Sequence, residues 1–296
     1  MKKVLCIVNP VSGLKKSLKV YYEVKGIIEN AGFTPQLLTT NYAGHAERHV
    51  SKLEKNAFDR IIIFGGDGTV NEVVNGLYRS DICSFFPIGI IPTGSGNSVL
   101  HDTQSLDPKI AITKALADNI QMMDVNKAIF DNEVKLSISV IGWGMFSYGN
   151  VLAEKLRFFG TIRYDIASVI KLLEKQSFKA SITVNNDSYD ISCAFIVGCN
   201  SIHTGKGMKI APNGGFYDGE IDIVIVKNDV SRFQLAKIFK EVYTGKHIDL
   251  PYVYMGKAKS FSINAGEESF FNVDGEIVKS QKVAVEILPK LIKLLV

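Results

Sequence analysis

Three glycine-rich stretches hold the side chains best suited to phosphate chemistry. The first is Gly65-Gly66-Asp67-Gly68-Thr69-Val70-Asn71-Glu72, directly after the apolar run Ile61-Ile62-Ile63-Phe64. Glycines let backbone amides approach a phosphate without a Cβ in the way, and a helix that follows adds unpaired N–H groups and a positive dipole end. Thr69 and Glu72 have the spacing of a capping box, which would fix that helix start. Asp67 is the unusual member. A carboxylate inside a phosphate loop repels its ligand unless it binds a cation or takes a proton, so Asp67 is a candidate for chemistry, with a solvated turn residue as the plain alternative. The second stretch is Pro92-Thr93-Gly94-Ser95-Gly96-Asn97 and the third Asn9-Pro10-Val11-Ser12-Gly13. Ser95 could cap a helix or bond a phosphate, and capping is at least as common. Each stretch ends a β-branched run, so three such loops on neighbouring parallel strands would line one crevice.

The elements that must carry these loops can be read from periodicity. Val4–Val8, Thr34–Thr40, Arg60–Phe64 and Pro87–Ile91 read as strands. Helices are expected over about Leu18–Ala31, Ala43–Lys55, Thr69–Tyr78 and from about Ser95. Strand, glycine loop and helix in repetition predict an α/β domain over residues 1–124 with an open, mainly parallel sheet and ligands at the carboxyl ends of the strands. After Asp124 strand-like runs dominate: Val134–Ile141, Ala180–Val184, Ile191–Val197, Ile221–Val226, Lys259–Ile263, Phe270–Val273 and Val283–Leu288. Helices are expected near Val151–Gln176 and Ser231–Tyr243. Residues 125–296 therefore read as a mostly antiparallel, β-sandwich-like domain, an arrangement that leaves the C-terminal tail able to return to the first domain.

Bulk properties narrow the classes. The 296 residues carry a formal charge of +4, which suits anionic small molecules or an anionic membrane surface and is too weak, without Lys/Arg blocks, to point to nucleic acid. Cys6, Cys83, Cys193 and Cys199 form no CxxC pair and are expected as buried free thiols. The five histidines show no metal spacing and read as surface or capping residues. No stretch reaches the ~18 apolar residues of a spanning helix. A cytoplasmic protein with peripheral membrane contact is expected, and a homodimer is compatible with the sequence. No Walker loop, no protein-kinase signature set and no dinucleotide fingerprint after the first strand occurs.

Taken in order, Asn9-Pro10-x-Ser12-Gly13, the run Gly65–Asn75 with Gly76-Leu77, and Ile91-Pro92-x-Gly94-Ser95-Gly96-Asn97 resemble the diacylglycerol, sphingosine and ceramide kinase family. The likeness continues through Pro212…Asp218-Gly219-x-x-Asp222 to Val273-Asp274-Gly275-Glu276, nearly the whole chain. The Gly65–Thr69 element alone is also found in NAD kinases and phosphofructokinases; the combination is what is specific. The resemblance implies an ATP-dependent, Mg²⁺-using kinase acting on the hydroxyl of a membrane lipid, with ATP in a crevice between the domains. It implies ATP contacts from Asn9, Thr40, Gly65, Gly66, Asp67, Gly68, Thr69, Asn71 and Ser95, with Arg157 and Arg163 reaching the phosphates. It assigns a catalytic role to Asp67 and a general-base role to Glu276. A Mg²⁺ site is implied at Asp218 with the carbonyls of Gly215 and Glu220, and Asp124 matches an acid in a metal-linked network.

Plainer duties stand beside these. Asp218-Gly219 and Asp274-Gly275 are good hairpin turns, Arg157 and Arg163 could form a solvated helix face, and Trp143, Phe146, Phe158 and Phe159 could be ordinary core rather than a lipid-facing cleft. One departure bears on substrate. Where the sphingosine branch has an acid to greet the lipid amine, this chain has Asn150, with Tyr148 two residues earlier. A neutral amide cannot pair with an ammonium, and losing one partner of a buried pair costs ~3–5 kcal/mol, so an amine-free lipid such as a diacylglycerol is expected. Two other readings share parts of the pattern: a soluble-substrate kinase of the NAD-kinase or phosphofructokinase type, and a non-catalytic nucleotide or lipid sensor.

Overall fold

Ile61–Phe64 are wholly buried, the mark of a strand covered on both faces, and the first sheet is built around them. The computed structural model describes residues 2–156, 167, 170, 174, 176–205 and 207–296. The chain forms two compact units. The first comprises residues 1–125, 203–207 and 288–296, and the second residues 126–202 and 208–287.

In the first unit the elements are β1 (Lys2–Val8), α1 (Ser17–Asn30), β2 (Phe33–Thr39), α2 (His45–Val50), β3 (Arg60–Gly65), α3 (Asp67–Arg79), β4 (Ile88–Pro92), α4 (Ser98–Asp102) and α5 (Pro108–Leu116). The strands are ordered β2–β1–β3–β4. All three pairings are parallel, with Val8 beside Phe64 and Gly65 beside Pro92. This register places the carboxyl ends of β1, β3 and β4 together. Side chains from α1 and α5 (Tyr21, Val24, Ile28, Ala111, Ile112) pack on one sheet face against Val4, Cys6, Ile62, Phe64 and Ile91.

The second unit takes up the chain within β5 (Ile120–Phe130). It continues through β6 (Val134–Ser137), β7 (Val140–Gly144), α6 (Met145–Lys155), β8 (Phe178–Val184) and β9 (Asp187–Cys199). After β10 (His203–Thr204), which belongs to the first unit, come β11 (Met208–Lys209), β12 (Ile221–Lys227), α7 (Arg232–Glu241), β13 (Val253–Ala258), β14 (Ser260–Val273) and β15 (Glu276–Leu295). The strand order is β13–β12–β9–β7–β14–β15, with β8 against β9 and β14, and these pairings are antiparallel. Trp143, Phe271, Phe261 and Ile196 share one core. A second apolar cluster seats α7 through Leu235 and Ile238 against Val224, Val226 and Val253. The last residues of β15 lie in the first unit, where Leu294 pairs in parallel with Ile88 of β4.

Several expected elements differ in the structure. The polar helix near Ala43–Lys55 is only the short α2, started by Gly44 in a left-handed conformation (φ 84°). The expected strand Val134–Ile141 is two strands, β6 and β7, parted where Ile138 and Ser139 turn to bond a distant carboxylate. The helix after the Pro92–Asn97 loop begins at Ser98 rather than Ser95 and has Asn97 at its cap position, so Ser95 caps nothing. The long helix expected to Gln176 is described over Met145–Lys155, and most of its remainder lies outside the described residues. Among the described residues no helix is long and apolar enough to cross a membrane.

Candidate active site

The three glycine stretches meet at the carboxyl ends of β1, β3 and β4. Asn9 Nδ2 donates to Thr69 Oγ1 at 3.0 Å, tying the loop after β1 to the start of α3. Ser12 Oγ donates to the Thr93 carbonyl at 3.3 Å, and Ser17 Oγ to Thr93 Oγ1 at 3.0 Å. A Cβ on Gly94 would overlap the Cα of Gly66, so only glycine allows these two loops to approach so closely. Asn97 closes its own loop, accepting from Gly94 N at 3.2 Å and donating to Gly94 O at 3.0 Å.

Asp67 is the fastener among them. Its Oδ1 accepts the Ser98 amide at 2.7 Å and its Oδ2 the Ser98 hydroxyl at 3.2 Å, so a carboxylate at the start of α3 also satisfies a donor at the start of α4. Gly68 is exposed while Thr69 and Asn71 are buried, and Asn71 Oδ1 accepts from Asn75 Nδ2 at 2.9 Å within α3. Thr40 is buried beside β1, its amide bonded to Val8 O at 2.9 Å. The capping box expected between Thr69 and Glu72 is absent: α3 starts at Asp67, with Gly66 at its cap position and no side-chain cap. Glu72 reaches outward instead, accepting from Gly44 N at 2.9 Å and Ala46 N at 3.1 Å, where it supplies the missing acceptors at the start of α2.

Sequence reasoning passed over one neighbouring cluster. Asp102, nearly buried, accepts from the His203 amide at 3.1 Å, and its Oδ1 lies 2.5 Å from His203 Nδ1. His101 stacks on the same ring with centroids 5.3 Å apart. Burial, followed by the neighbouring His203, lowers the pKa of His101 from its ordinary value. His203, expected as a surface or capping residue, is packed and paired, and His247 is buried.

In the second unit, Glu276 stands at the start of β15, directly after the Asp274–Gly275 turn. Both turn residues have positive φ (49° and 96°), the conformation of a two-residue hairpin turn, and Val273 pairs with Glu276 across it. Asp274 does more than turn. Its carboxylate accepts from Ile138 N (2.7 Å), Ser139 N (3.0 Å), Val140 N (2.8 Å) and Ser137 Oγ (3.0 Å), which bolts the turn to the β6–β7 connection. Lys135 on β6 thereby places its Nζ 2.8 Å from Glu276 Oε2, and the Glu276 side chain remains 54% exposed.

Asp218 and Asp222 form a further acidic cluster. The register of β12 and β13 sets Asp222 opposite Lys257. The Lys257 ammonium bonds Asp218 Oδ2 and lies 3.5 Å from Asp222 Oδ2 and 3.7 Å from Glu220 Oε2. Glu220 N donates to Asp218 Oδ1 at 3.1 Å. Asp222 is 1% exposed and its Oδ1 has no hydrogen-bond partner. Burial pushes its carboxyl up to about 6 against the lowering effect of Lys257. A Cβ on Gly214 would lie 2.5 Å from Asp222 Oδ2, so that glycine keeps the cradle open. Oxygen donors are what Mg²⁺ prefers, yet the Asp222 oxygen that faces Lys257 and Gly214 is Oδ2 and the unpartnered one is Oδ1, so the cluster as it stands does not fit the ion. No three acidic, imidazole or thiol groups among the described residues converge as a ready metal site; at Asp218 an ammonium is already there.

Asp124 belongs to the first unit and the Asp218 set to the second. It is buried, and its Oδ1 accepts the Lys290 amide at 2.6 Å. Arg157 and Arg163, with Phe158 and Phe159, fall outside the described residues. Trp143 is core: it is 2% exposed, stacks near Phe271 and donates to Ser269 Oγ at 2.9 Å. Tyr148 and Asn150 sit half-buried on α6, with Tyr148 against the rings of Phe178 and Phe270.

Comparison with known proteins agrees with this geometry. Residues 3–128 match the diacylglycerol kinase catalytic domain, and residues 139–296 match the YegS C-terminal NAD kinase β-sandwich-like domain. Sphingosine kinase 1 of Arabidopsis thaliana is 25% identical over 94% of this chain and 68% of its own length. A diacylglycerol kinase of Bacillus subtilis is 26% identical over 93% of this chain and 90% of its own. A solved Bacillus anthracis structure, described as that of a candidate diacylglycerol kinase, superimposes with a TM-score of 0.80 at 26% identity, covering 99% of this chain and 97% of that one. The chain belongs to the lipid kinase family that pairs a diacylglycerol kinase catalytic domain with a β-sandwich-like second domain, and it is a kinase.

Proposed function

We propose that this kinase transfers the γ-phosphoryl group of ATP to the hydroxyl of an amine-free membrane lipid of the diacylglycerol type. The observation that carries the reading is the meeting of the Asn9–Gly13, Gly65–Thr69 and Thr93–Asn97 loops at the carboxyl ends of three parallel strands. The exposed Gly68 and the start of α3 offer peptide amides and a positive helix end to a polyphosphate. Asn9, Thr40, Thr69, Asn71 and Ser95 supply side-chain contacts in this reading, with Arg157 and Arg163 offsetting phosphate charge.

In the reaction the lipid hydroxyl oxygen forms a bond to the γ-phosphorus as the bond to the β,γ-bridging oxygen breaks. ADP leaves, and the hydroxyl proton passes to a carboxylate. We assign that proton to Glu276 rather than Asp67, because each Asp67 oxygen already accepts from Ser98 whereas Glu276 is exposed with one oxygen beside Lys135. Base catalysis of this kind contributes ~10²–10⁴-fold. Mg²⁺ enters this reading through the family resemblance alone, which put it at Asp218 with the carbonyls of Gly215 and Glu220, and no step here is routed through it. Asn150 in place of an acid supports the amine-free lipid. Peripheral contact with an anionic membrane surface is part of the reading, supported by Phe233, which is 89% exposed on α7 at the head of a face carrying Lys237 and Lys240.

The test is phosphate transfer from labelled ATP in mixed micelles containing diacylglycerol, monoacylglycerol, ceramide or sphingosine. Diacylglycerol should be phosphorylated well above sphingosine, and Glu276→Gln should lose most of that turnover. Preference for sphingosine would overturn the lipid assignment, and near-normal turnover in Glu276→Gln would overturn the base assignment.

A further inference from the structure

We propose that Asp102 and His203 are positioning residues for the nucleotide: their bond holds the segment His203–Gly207 against the Pro92–Asn97 loop and keeps that loop ready for phosphate. The pair acts on the glycine loops through backbone contact, given the ATP reading of those loops, on which this rests. Residues 203–207 belong to the first unit, although the chain on either side of them belongs to the second. Asp102 Oδ1 accepts from the His203 amide at 3.1 Å and lies 2.5 Å from His203 Nδ1. The His101 ring stacks on His203, and a Cβ on Gly207 would come within 3.2 Å of His101 Cε1. Gly205 then reaches the loop: a Cβ on Gly96 would lie 3.7 Å from Gly205 Cα and would collide with Asp67 Oδ2. Gly205 and Gly207 both sit at positive φ (54° and 80°), which glycine adopts without steric cost.

Helix formation does not explain the acid. Asp102 is the last residue of α4, where the carbonyl end of a helix already gathers negative charge and a carboxylate is disfavoured. Its compensation is the pair of donors on His203, and a hydrogen bond to a carboxylate is stronger than one between neutral groups. α4 is only five residues long, so it acts as a strut with a hold at each end. Ser98, its first residue, bonds Asp67 through amide and hydroxyl, and Asp102, its last, bonds His203. The Asn97 side chain bonds back to Gly94 and fixes the shape of the loop. Its seat beside α3 is set by the Asp67–Ser98 bonds and by Gly205 against Gly96. A loop already seated binds phosphate without first being ordered, and releasing residues 203–207 restores that ordering cost.

Two measurements on the full chain test the pair: hydrogen exchange at residues 94–98 without nucleotide, and calorimetric titration with ATP. They compare the native protein with His203→Ala, His203→Asn and Asp102→Asn. His203→Ala should exchange faster at residues 94–98 and bind ATP about tenfold more weakly, the worth of one bond to a charged group. Asparagine places an amide donor near the position of Nδ1, so His203→Asn should recover most of both, which a general loss of packing would not allow. Asp102→Asn keeps an acceptor but loses the charge, and should fall between native and His203→Ala. Native exchange at residues 94–98 or native ATP affinity in His203→Ala overturns the proposal, as does a loss that His203→Asn fails to recover. Should His203→Ala not fold, Asp102→Asn decides alone: weaker ATP binding with faster exchange at residues 94–98 supports the pair, and native values overturn it. A native protein that binds no ATP strikes the nucleotide reading and this proposal with it. Native ATP binding that His203→Ala leaves unchanged strikes the positioning role alone.

Discussion

Asp67 and Ser98, thirty-one residues apart, are joined twice: the Ser98 amide donates to Oδ1 at 2.7 Å and the Ser98 hydroxyl to Oδ2 at 3.2 Å. The acid that the sequence marks for chemistry therefore also holds two glycine loops together. Asparagine retains the Oδ1 acceptor, whereas alanine leaves the start of α4 without one, and hydrogen bonds to a charged group contribute ~1.5–3 kcal/mol. We expect Asp67→Ala to lower the melting temperature by about 4–8 °C and Asp67→Asn by about 3 °C or less. Both should lose most turnover if the negative charge acts on the nucleotide. Scanning calorimetry beside ATP turnover separates the two duties; Asp67→Asn with near-native kcat would leave fastening as its whole role.

Glu72 makes a related case in which the partner is a helix start. Its two oxygens take the Gly44 and Ala46 amides, the orphan donors of α2, from another helix. Replacing it with glutamine turns one oxygen into a donor facing a donor. Glu72→Gln should cost ~1–2 kcal/mol, about the worth of a lost cap. Hydrogen exchange should speed up at residues 46–50 before the rest of the first unit. Unchanged protection of α2 would show that packing of Ala46 and Val50 alone secures it.

How far the sequence could be read depended on the range of each contact. The unbroken run Ile61–Phe64 and the glycine stretches after each strand are local signals, and the parallel pairings of β1, β2, β3 and β4 follow from them. The partners of polar side chains are set by folding, which is why Thr69 and Glu72 looked like a capping box. Lys135 and Lys257 drew no notice, since nothing near them in the chain announces Glu276 or Asp222. Asp274 read as a turn residue because its four donors lie about 135 positions away. The four cysteines, three of them in apolar strand-like runs and none in a CxxC pair, were legible as buried thiols, and all four are buried and free.

His247 gives the protein a pH-dependent stability term. It is 2% exposed, its Nε2 lies 3.1 Å from the Ile210 carbonyl, and its Nδ1 has no partner. Burial lowers its pKa below the ordinary 6.5, although the Ile210 bond and Asp249 pull the other way. The unfolded chain therefore takes up a proton near pH 6.5 that the folded chain still refuses. Stability is fully present above that pH and falls as pH drops below it, by at most ~1.4 kcal/mol per unit. His247→Gln keeps a donor for Ile210 and does not titrate. Urea midpoints at pH 7.5 and 5.5 should fall further in the native protein than in the variant, and equal falls would contradict this origin.

Asp274 and Glu276 are separated by one residue yet should fail differently. The Asp274 carboxylate holds three consecutive amides and the Ser137 hydroxyl, all part-buried. Alanine would strand those donors, and each unsatisfied buried donor costs ~1–3 kcal/mol, so Asp274→Ala is expected to lose several kcal/mol or not to fold at 37 °C. Asparagine can keep Oδ1 for Ser139, Val140 and Ser137 but presents an NH₂ to the Ile138 amide, and should cost ~1–3 kcal/mol. With Glu276 acting as base, Asp274→Asn should also lower kcat with little change in the KM for ATP, because the turn that aims Glu276 has shifted while the glycine loops have not. Glu276→Gln should keep the native unfolding midpoint and lose turnover alone. Steady-state kinetics and denaturation on the same preparations decide between them: a stable Asp274→Asn with native kcat would show that Glu276 needs no such anchoring.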